Sequence, residues 1–140
     1  MLYLGESFNT LDQSKRLIIP MRFRDGFGNE LIMYKSGEPC LYLYDTARFG
    51  EIVERIRSLP DDGLMEERVR FFYACVTQIS IDRTGRIVVP QDFLDHAGIQ
   101  SDVALLGHEN RVEIWDAVLY KDRKAAAESD PAMMKLPVKL

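Results

Sequence analysis

Two short stretches of the chain place an aspartate four residues ahead of an arginine: Asp12-Gln13-Ser14-Lys15-Arg16 and Asp82-Arg83-Thr84-Gly85-Arg86. An aspartate that opens a turn accepts hydrogen bonds from amides further along and stiffens the loop. An arginine at its far end offers a planar fork of donors, suited to bidentate pairing with a phosphate or a guanine edge. Gln13, Ser14 and Thr84 add short amide and hydroxyl groups of the kind that contact phosphate, and Lys15 and Arg83 add positive charge. The chemistry on offer is anion recognition by a stiff array of donors. A purely structural use stays open beside it. As exposed ion pairs that brace a turn, Asp12 with Arg16 and Asp82 with Arg86 would be worth at most about 1 kcal/mol. Arg22 and Arg24 divide in the same way, between phosphate contacts and solvated helix charges.

Other chemistries find no residues to carry them. No histidine accompanies a nucleophile signature, and there is no Gly-rich phosphate loop, so the chain does not read as an enzyme. His96 and His108 have no second ligand at metal spacing, and no metal or cofactor is expected. Cys40 and Cys75 each sit inside an apolar stretch and are expected as buried small hydrophobes. Phe49, Phe71, Phe72 and Tyr73 are expected in the core and at a subunit interface rather than as a stacking platform for bases.

The elements that must position the two arrays come from an internal repeat. Thr10 to Pro20 aligns with Ser80 to Pro90 without a gap, and the match continues through Phe23 and Phe93, Asp25 and Asp95, and Gly28 and Gly98. Leu41 to Asp45 then answers Val112 to Asp116 after a one-residue insertion. Each copy reads as a strand (Phe8 to Leu11; Val76 to Ile81), an Asp-led turn, and a short branched strand (Leu17 to Ile19; Ile87 to Val89). A helix entered at Pro20 or Pro90 and ended at Gly28 or Gly98 comes next. A hairpin closes each copy (Leu31 to Tyr34 with Cys40 to Tyr44; Val103 to Leu106 with Arg111 to Trp115). Between the copies, Asp45 or Thr46 caps a helix carrying Phe49, Ile52, Val53 and Ile56 at 3.6-residue spacing. Leu59 to Gly63 breaks it, and a second helix runs from about Met65 to Tyr73. Asp116 starts the equivalent helix after copy two. The division expected is 1–60, first copy with its helix; 61–75, connecting helix; 76–128, second copy with its helix; and 129–140, a loosely ordered tail. Each copy is too small to hold a core alone, so the two should share one.

The 140 residues are 46% hydrophobic and 29% charged, ordinary for a globular chain, with no apolar run of membrane-spanning length. With no signal-type N-terminus either, a cytoplasmic protein is expected. The net charge of −4 argues against a nucleic-acid partner unless charge is segregated. The acids cluster in the connector (Glu51, Glu54, Asp61, Asp62, Glu66, Glu67), away from the first array.

Two copies of Asp-x-x-x-Arg, each followed by a branched run and proline, flank a helical pair ending in Arg70-Phe71-Phe72-Tyr73. Together they resemble the MraZ family, whose halves are similar to the AbrB and SpoVT swapped-hairpin motif. The resemblance runs from Leu4 to about Lys124. It implies a mainly β fold with α elements (α+β), namely a double-split β-barrel of two pseudo-symmetric repeats. It further implies ring-like homo-oligomers bound to double-stranded promoter DNA, and transcriptional control of a division and cell-wall gene cluster that includes the chain's own gene, from a nucleoid-associated position. On this reading Arg16, Arg86, Lys15, Arg83, Gln13, Ser14 and Thr84 bind DNA, Asp12 and Asp82 brace the turns, and Arg22 and Arg24 are candidate phosphate contacts. No small-molecule substrate is implied. AbrB-like halves also serve as antitoxins, so a protein-binding module is the alternative, with Met133, Met134, Leu136, Val138 and Leu140 as anchors. One departure stands out: where copy two has Gly85, copy one has Lys15. If that position is left-handed, a non-glycine residue costs on the order of 1 kcal/mol, and a differently shaped first loop is expected.

Overall fold

In each copy a proline opens and a glycine closes the short helix. Helix α1 (Met21–Phe27) lies between Pro20 and Gly28, and its counterpart α4 (Gln91–Ala97) lies between Pro90 and Gly98. The computed structural model describes residues 1–140. Copy one contributes strands β1 (Glu6–Thr10), β2 (Arg16–Ile18), β3 (Glu30–Lys35) and β4 (Leu41–Tyr44). Helices α2 (Thr46–Arg57) and α3 (Met65–Ala74) connect it to copy two. Copy two contributes β5 (Val76–Ser80), β6 (Arg86–Val88), β7 (Asp102–His108) and β8 (Arg111–Asp116), and α5 (Ala117–Glu128) completes the chain's regular structure.

The first strand of each copy pairs with the hairpin of the other. A six-stranded antiparallel sheet has the order β1-β7-β8-β4-β3-β5, so β1 lies on copy two and β5 on copy one. Exchanging the copies maps this order onto itself reversed. The remaining strands, β2 and β6, pair only with each other, Leu17 opposite Ile87. The sheet does not close into a barrel: its hydrogen bonding ends at β1 and β5, and the β2–β6 ribbon forms a second, separate sheet. Strands alternate faces, so Leu17 (0% exposed) and Ile87 (1%) point inward onto Phe23, Phe93, Leu31, Met33, Leu105 and Ile114 in one shared core.

Several sequence expectations shift here. Strand β1 starts at Glu6 rather than Phe8, held by the cross-copy register Glu6 to Leu106, and β7 continues to His108 rather than stopping at Leu106, because Gly107 and His108 pair with Val112 and Arg111 of β8. The ribbon strands begin one residue early, at Arg16 and Arg86, since each arginine pairs with a residue of the other copy. Phe49, Phe71, Phe72 and Tyr73 are not core. Helices α2 and α3 bury no side chain completely, and Phe71 is 62% exposed. The pair forms an outer layer, where Phe72 packs on Tyr34 (ring centroids 5.0 Å apart) and stacks on Phe49 (6.4 Å). Cys40 is buried as expected, but Cys75 is only half-buried, because it caps the end of α3 rather than lying in a strand. Residues 129–140 are exposed throughout.

Caps hold the longer helices. Asp45, not Thr46, caps α2 by accepting from the Arg48 amide (2.8 Å), and Asp116 does the same for α5 through the Leu119 amide (3.1 Å). The other oxygen of Asp45 accepts from the Tyr3 hydroxyl (2.6 Å), tying the N-terminal segment to the start of α2. That segment crosses β7 at Gly107, where a Cβ would fall 2.4 Å from the Leu4 amide nitrogen, so only glycine lets the two backbones meet.

Candidate nucleic-acid interface

Each Asp-x-x-x-Arg array is a tight turn between a strand of the main sheet and a strand of the ribbon. In the first, Asp12 Oδ1 accepts from the amides of Ser14 (2.8 Å) and Arg16 (2.9 Å), while the Lys15 amide donates to the Asp12 carbonyl (3.0 Å). In the second, Asp82 Oδ1 accepts from the amides of Thr84 (2.9 Å) and Arg86 (2.9 Å), and the Gly85 amide donates to the Asp82 carbonyl (3.0 Å). The bonds donated by backbone amides match between the two turns. The differently shaped first loop is therefore not found: Lys15 adopts φ 62° where Gly85 has φ 81°, and the copy-one turn absorbs the cost of a left-handed side chain. Both carboxyls are held below the usual aspartate range, chiefly by the arginine amide that each accepts.

The arginines sit at the first ribbon positions. Arg16 faces Val88 across the ribbon, and Arg86 faces Ile18. Side chains alternate along a strand, so all four project on the face opposite buried Leu17 and Ile87. Arg16 and Arg86 are diagonal neighbours, which places them roughly 7–8 Å apart. Because β2 and β6 are antiparallel, the turns stand at opposite ends of the ribbon. The Lys15 carbonyl accepts from the Val89 amide (3.0 Å) and the Gly85 carbonyl from the Ile19 amide (2.8 Å), so each turn is bonded to the other copy. The arginines differ in their partners. Arg16 Nε donates to Asp12 Oδ2 (2.8 Å), whereas the Arg86 guanidinium makes no ion pair.

Gln13, Ser14, Lys15, Arg83 and Thr84 are exposed around these arginines, and Thr84 Oγ1 also donates to Asp82 (2.8 Å). Arg22 and Arg24 are engaged within the chain. Arg22 donates to the Glu6 carbonyl and lies over the Phe23 ring (5.1 Å). Arg24 donates from Nε (3.2 Å) and Nη2 (2.9 Å) to the Ile19 carbonyl, at the end of β2. Its guanidinium lies across Gly85, where a Cβ would come within 2.0 Å of Cζ. Gly85 thus serves both a left-handed turn and a close approach, and the matching position in copy two, Leu94, is a buried aliphatic. Sequence reading missed Ile18 and Val88, exposed by 45% and 56% on the same face as the arginines. The signal was available: in a strand of period two, burying Leu17 and Ile87 turns their neighbours outward.

A family model described as "MraZ protein, putative antitoxin-like" matches the chain twice, over residues 2–72 and again over 72–135. The chain belongs to the MraZ family. Among MraZ relatives, a protein of Acetivibrio thermocellus named transcriptional regulator MraZ is 35% identical over 133 residues, covering 91% of this chain and 93% of its own. Proteins of the same name from Desulfitobacterium hafniense and Limosilactobacillus fermentum are 34% and 32% identical, each over at least 90% of both chains. The two MraZ matches meet at residue 72, inside α3, so one copy of the family pattern spans β1 to α3 and the other β5 to the tail. No helix is long and apolar enough to cross a membrane.

Proposed function

We propose that this chain is a transcriptional regulator that binds double-stranded promoter DNA with the outer face of the β2–β6 ribbon. The observation that carries this reading is the placement of Arg16 and Arg86 as diagonal neighbours on one exposed face, each fixed at the base of an Asp-braced turn. Lys15, Arg83, Gln13, Ser14 and Thr84 surround them with charge and hydrogen-bond donors for phosphates, and Arg22 and Arg24 serve mainly to hold the scaffold. The net charge of −4 is met by distance. Glu66 and Glu67 lie on α3, which enters β5 at Val76, whereas the second turn leaves its other end, and a five-residue strand spans roughly 17 Å. That exceeds the screening length of about 8 Å at physiological salt.

A single protomer carries few cations, so assembly belongs to the reading. Several protomers in a ring would gather Arg16 and Arg86 faces against repeated promoter sites, and linked sites can strengthen binding by roughly two to four orders of magnitude. The target expected is the promoter of the division and cell-wall cluster that includes the chain's own gene, with the protein in the cytoplasm and on the nucleoid. The test is an electrophoretic shift on DNA just upstream of that gene, measured across salt concentrations. Wild type should shift it with affinity falling steeply as salt rises. Arg16→Ala with Arg86→Ala should abolish the shift while thermal unfolding and oligomer size stay unchanged. A double variant that binds as well as wild type overturns the mechanism.

A protein-binding role is the second reading, favoured by the "antitoxin-like" family description and by one groove. Ile52, Ile56, Leu59, Met65, Val69 and Phe72 line an open apolar cleft of about 270 Å³ between α2 and α3. A protein that co-purifies in stoichiometric amount and survives nuclease treatment would favour it.

A further inference from the structure

The ribbon face carries two exposed aliphatics that phosphate binding leaves unexplained. Ile18 lies directly across the ribbon from Arg86 and Val88 directly across from Arg16, the two aliphatics exposed by 45% and 56%, and no acidic side chain shares those ribbon positions. Exposed branched residues on a cationic face gain nothing from phosphate oxygens, which are hydrated and charged. The major groove is a surface that presents both kinds of partner at once. It is about 12 Å wide and admits a two-stranded ribbon, and its floor carries guanine acceptors and the C5-methyl of thymine. We infer that Ile18 and Val88 read thymine methyl groups in the major groove, while Arg86 and Arg16, each across the ribbon from one of them, take guanine edges or phosphates. This deepens the promoter-binding reading and rests on it.

Three features favour this occupant over a second protein. Each aliphatic lies directly across the ribbon from an arginine, so any partner that covers Val88 must also meet Arg16, and any that covers Ile18 must meet Arg86. The backbone beneath is fixed, because both turns are bonded to the opposite copy and Leu17 and Ile87 anchor the reverse side. The pattern is also two-fold: exchanging the copies carries Arg16 and Ile18 onto Arg86 and Val88. The site read should therefore hold its thymines in a short inverted arrangement.

The test uses the full-length protein and the shifted upstream duplex, with deoxyuridine replacing thymidine one position at a time. Deoxyuridine removes only the methyl group. Wild type should lose roughly fourfold in affinity at two symmetry-related positions, what burying one methylene-sized group is worth. Ile18→Ala with Val88→Ala should bind the parent duplex more weakly and show no further loss on the deoxyuridine duplexes. Equal wild-type affinity for all duplexes overturns the inference and leaves the promoter-binding reading standing, and a loss that persists in the double variant also overturns it. Failure of wild type to bind the parent duplex overturns both. The wild-type comparison needs no substitution in the protein, so a folding defect in the variant cannot mask the answer.

Discussion

Lys15 and Gly85 occupy one turn position in two copies, and each solves it differently. At φ 81°, with the Arg24 guanidinium across it, Gly85 could carry a side chain only by displacing that guanidinium. Gly85→Ala should cost about 1 kcal/mol for the left-handed residue alone, plus whatever displacing Arg24 costs, read by thermal unfolding. Lys15→Gly should relieve strain and raise stability by up to about 1 kcal/mol. The same change should weaken DNA binding and reduce the slope of log affinity against log salt by about 0.9, the share of one lost phosphate contact. An unchanged slope would remove Lys15 from the interface.

The aspartates make a pH prediction at the same scale. Both Asp12 and Asp82 are held below their ordinary range in the folded chain, so their bracing is fully present above about pH 4 and is lost as the pH falls through the lowered values. Amide resonances of Ser14, Arg16, Thr84 and Arg86 should stay fixed from pH 7 to about 4 and then move together. A midpoint at or above pH 4 would contradict the bracing.

Among the elements, α2 depends on a contact from far along the chain. Asp45 caps it with one carboxylate oxygen and takes the buried Tyr3 hydroxyl on the other. Burial, and then the hydrogen bond to Asp45, raises the Tyr3 hydroxyl well above its usual range. Tyr3→Phe should cost about 1.5–3 kcal/mol, since the bond removed has a charged acceptor. It should also speed hydrogen exchange of the first-turn amides of α2. Protection unchanged there would mean that the cap stands without the tyrosine. Helix α2 was legible from its cap and 3.6-residue pattern, but the tyrosine partner was not, because nothing local in Met1 to Gly5 signals a contact 42 residues away.

Across the whole molecule, the two copies exchange their first strands. With β1 on β7, β5 on β3, and the ribbon formed one strand from each, most of the fold's cross-copy bonds do not pass through the α2–α3 connector. A single cut between Asp61 and Asp62, in the exposed loop, should leave a stable complex of two fragments that elutes as one species with little change in unfolding temperature. Separation of the fragments under native conditions would refute the exchange. The same topology explains why a small duplicated chain has one core: each half's edge strand has its partner in the other half.

The sequence alone determined the repeat, the turns and the short helices, because prolines, glycines and an aspartate four residues before an arginine act within a few positions of themselves. It also identified Arg16 and Arg86 as the residues to examine. Only the tertiary structure decided that the two lie on one face, each with an exposed aliphatic across the ribbon from it, since that depends on a register between strands 70 residues apart. It alone turned Phe71 and Tyr73 of α3 outward while packing Phe72 on Tyr34, because helical periodicity marks an apolar face without saying whether anything covers it. It left the main sheet open as well, for closure is set by which edges find partners, and no spacing along a chain records that.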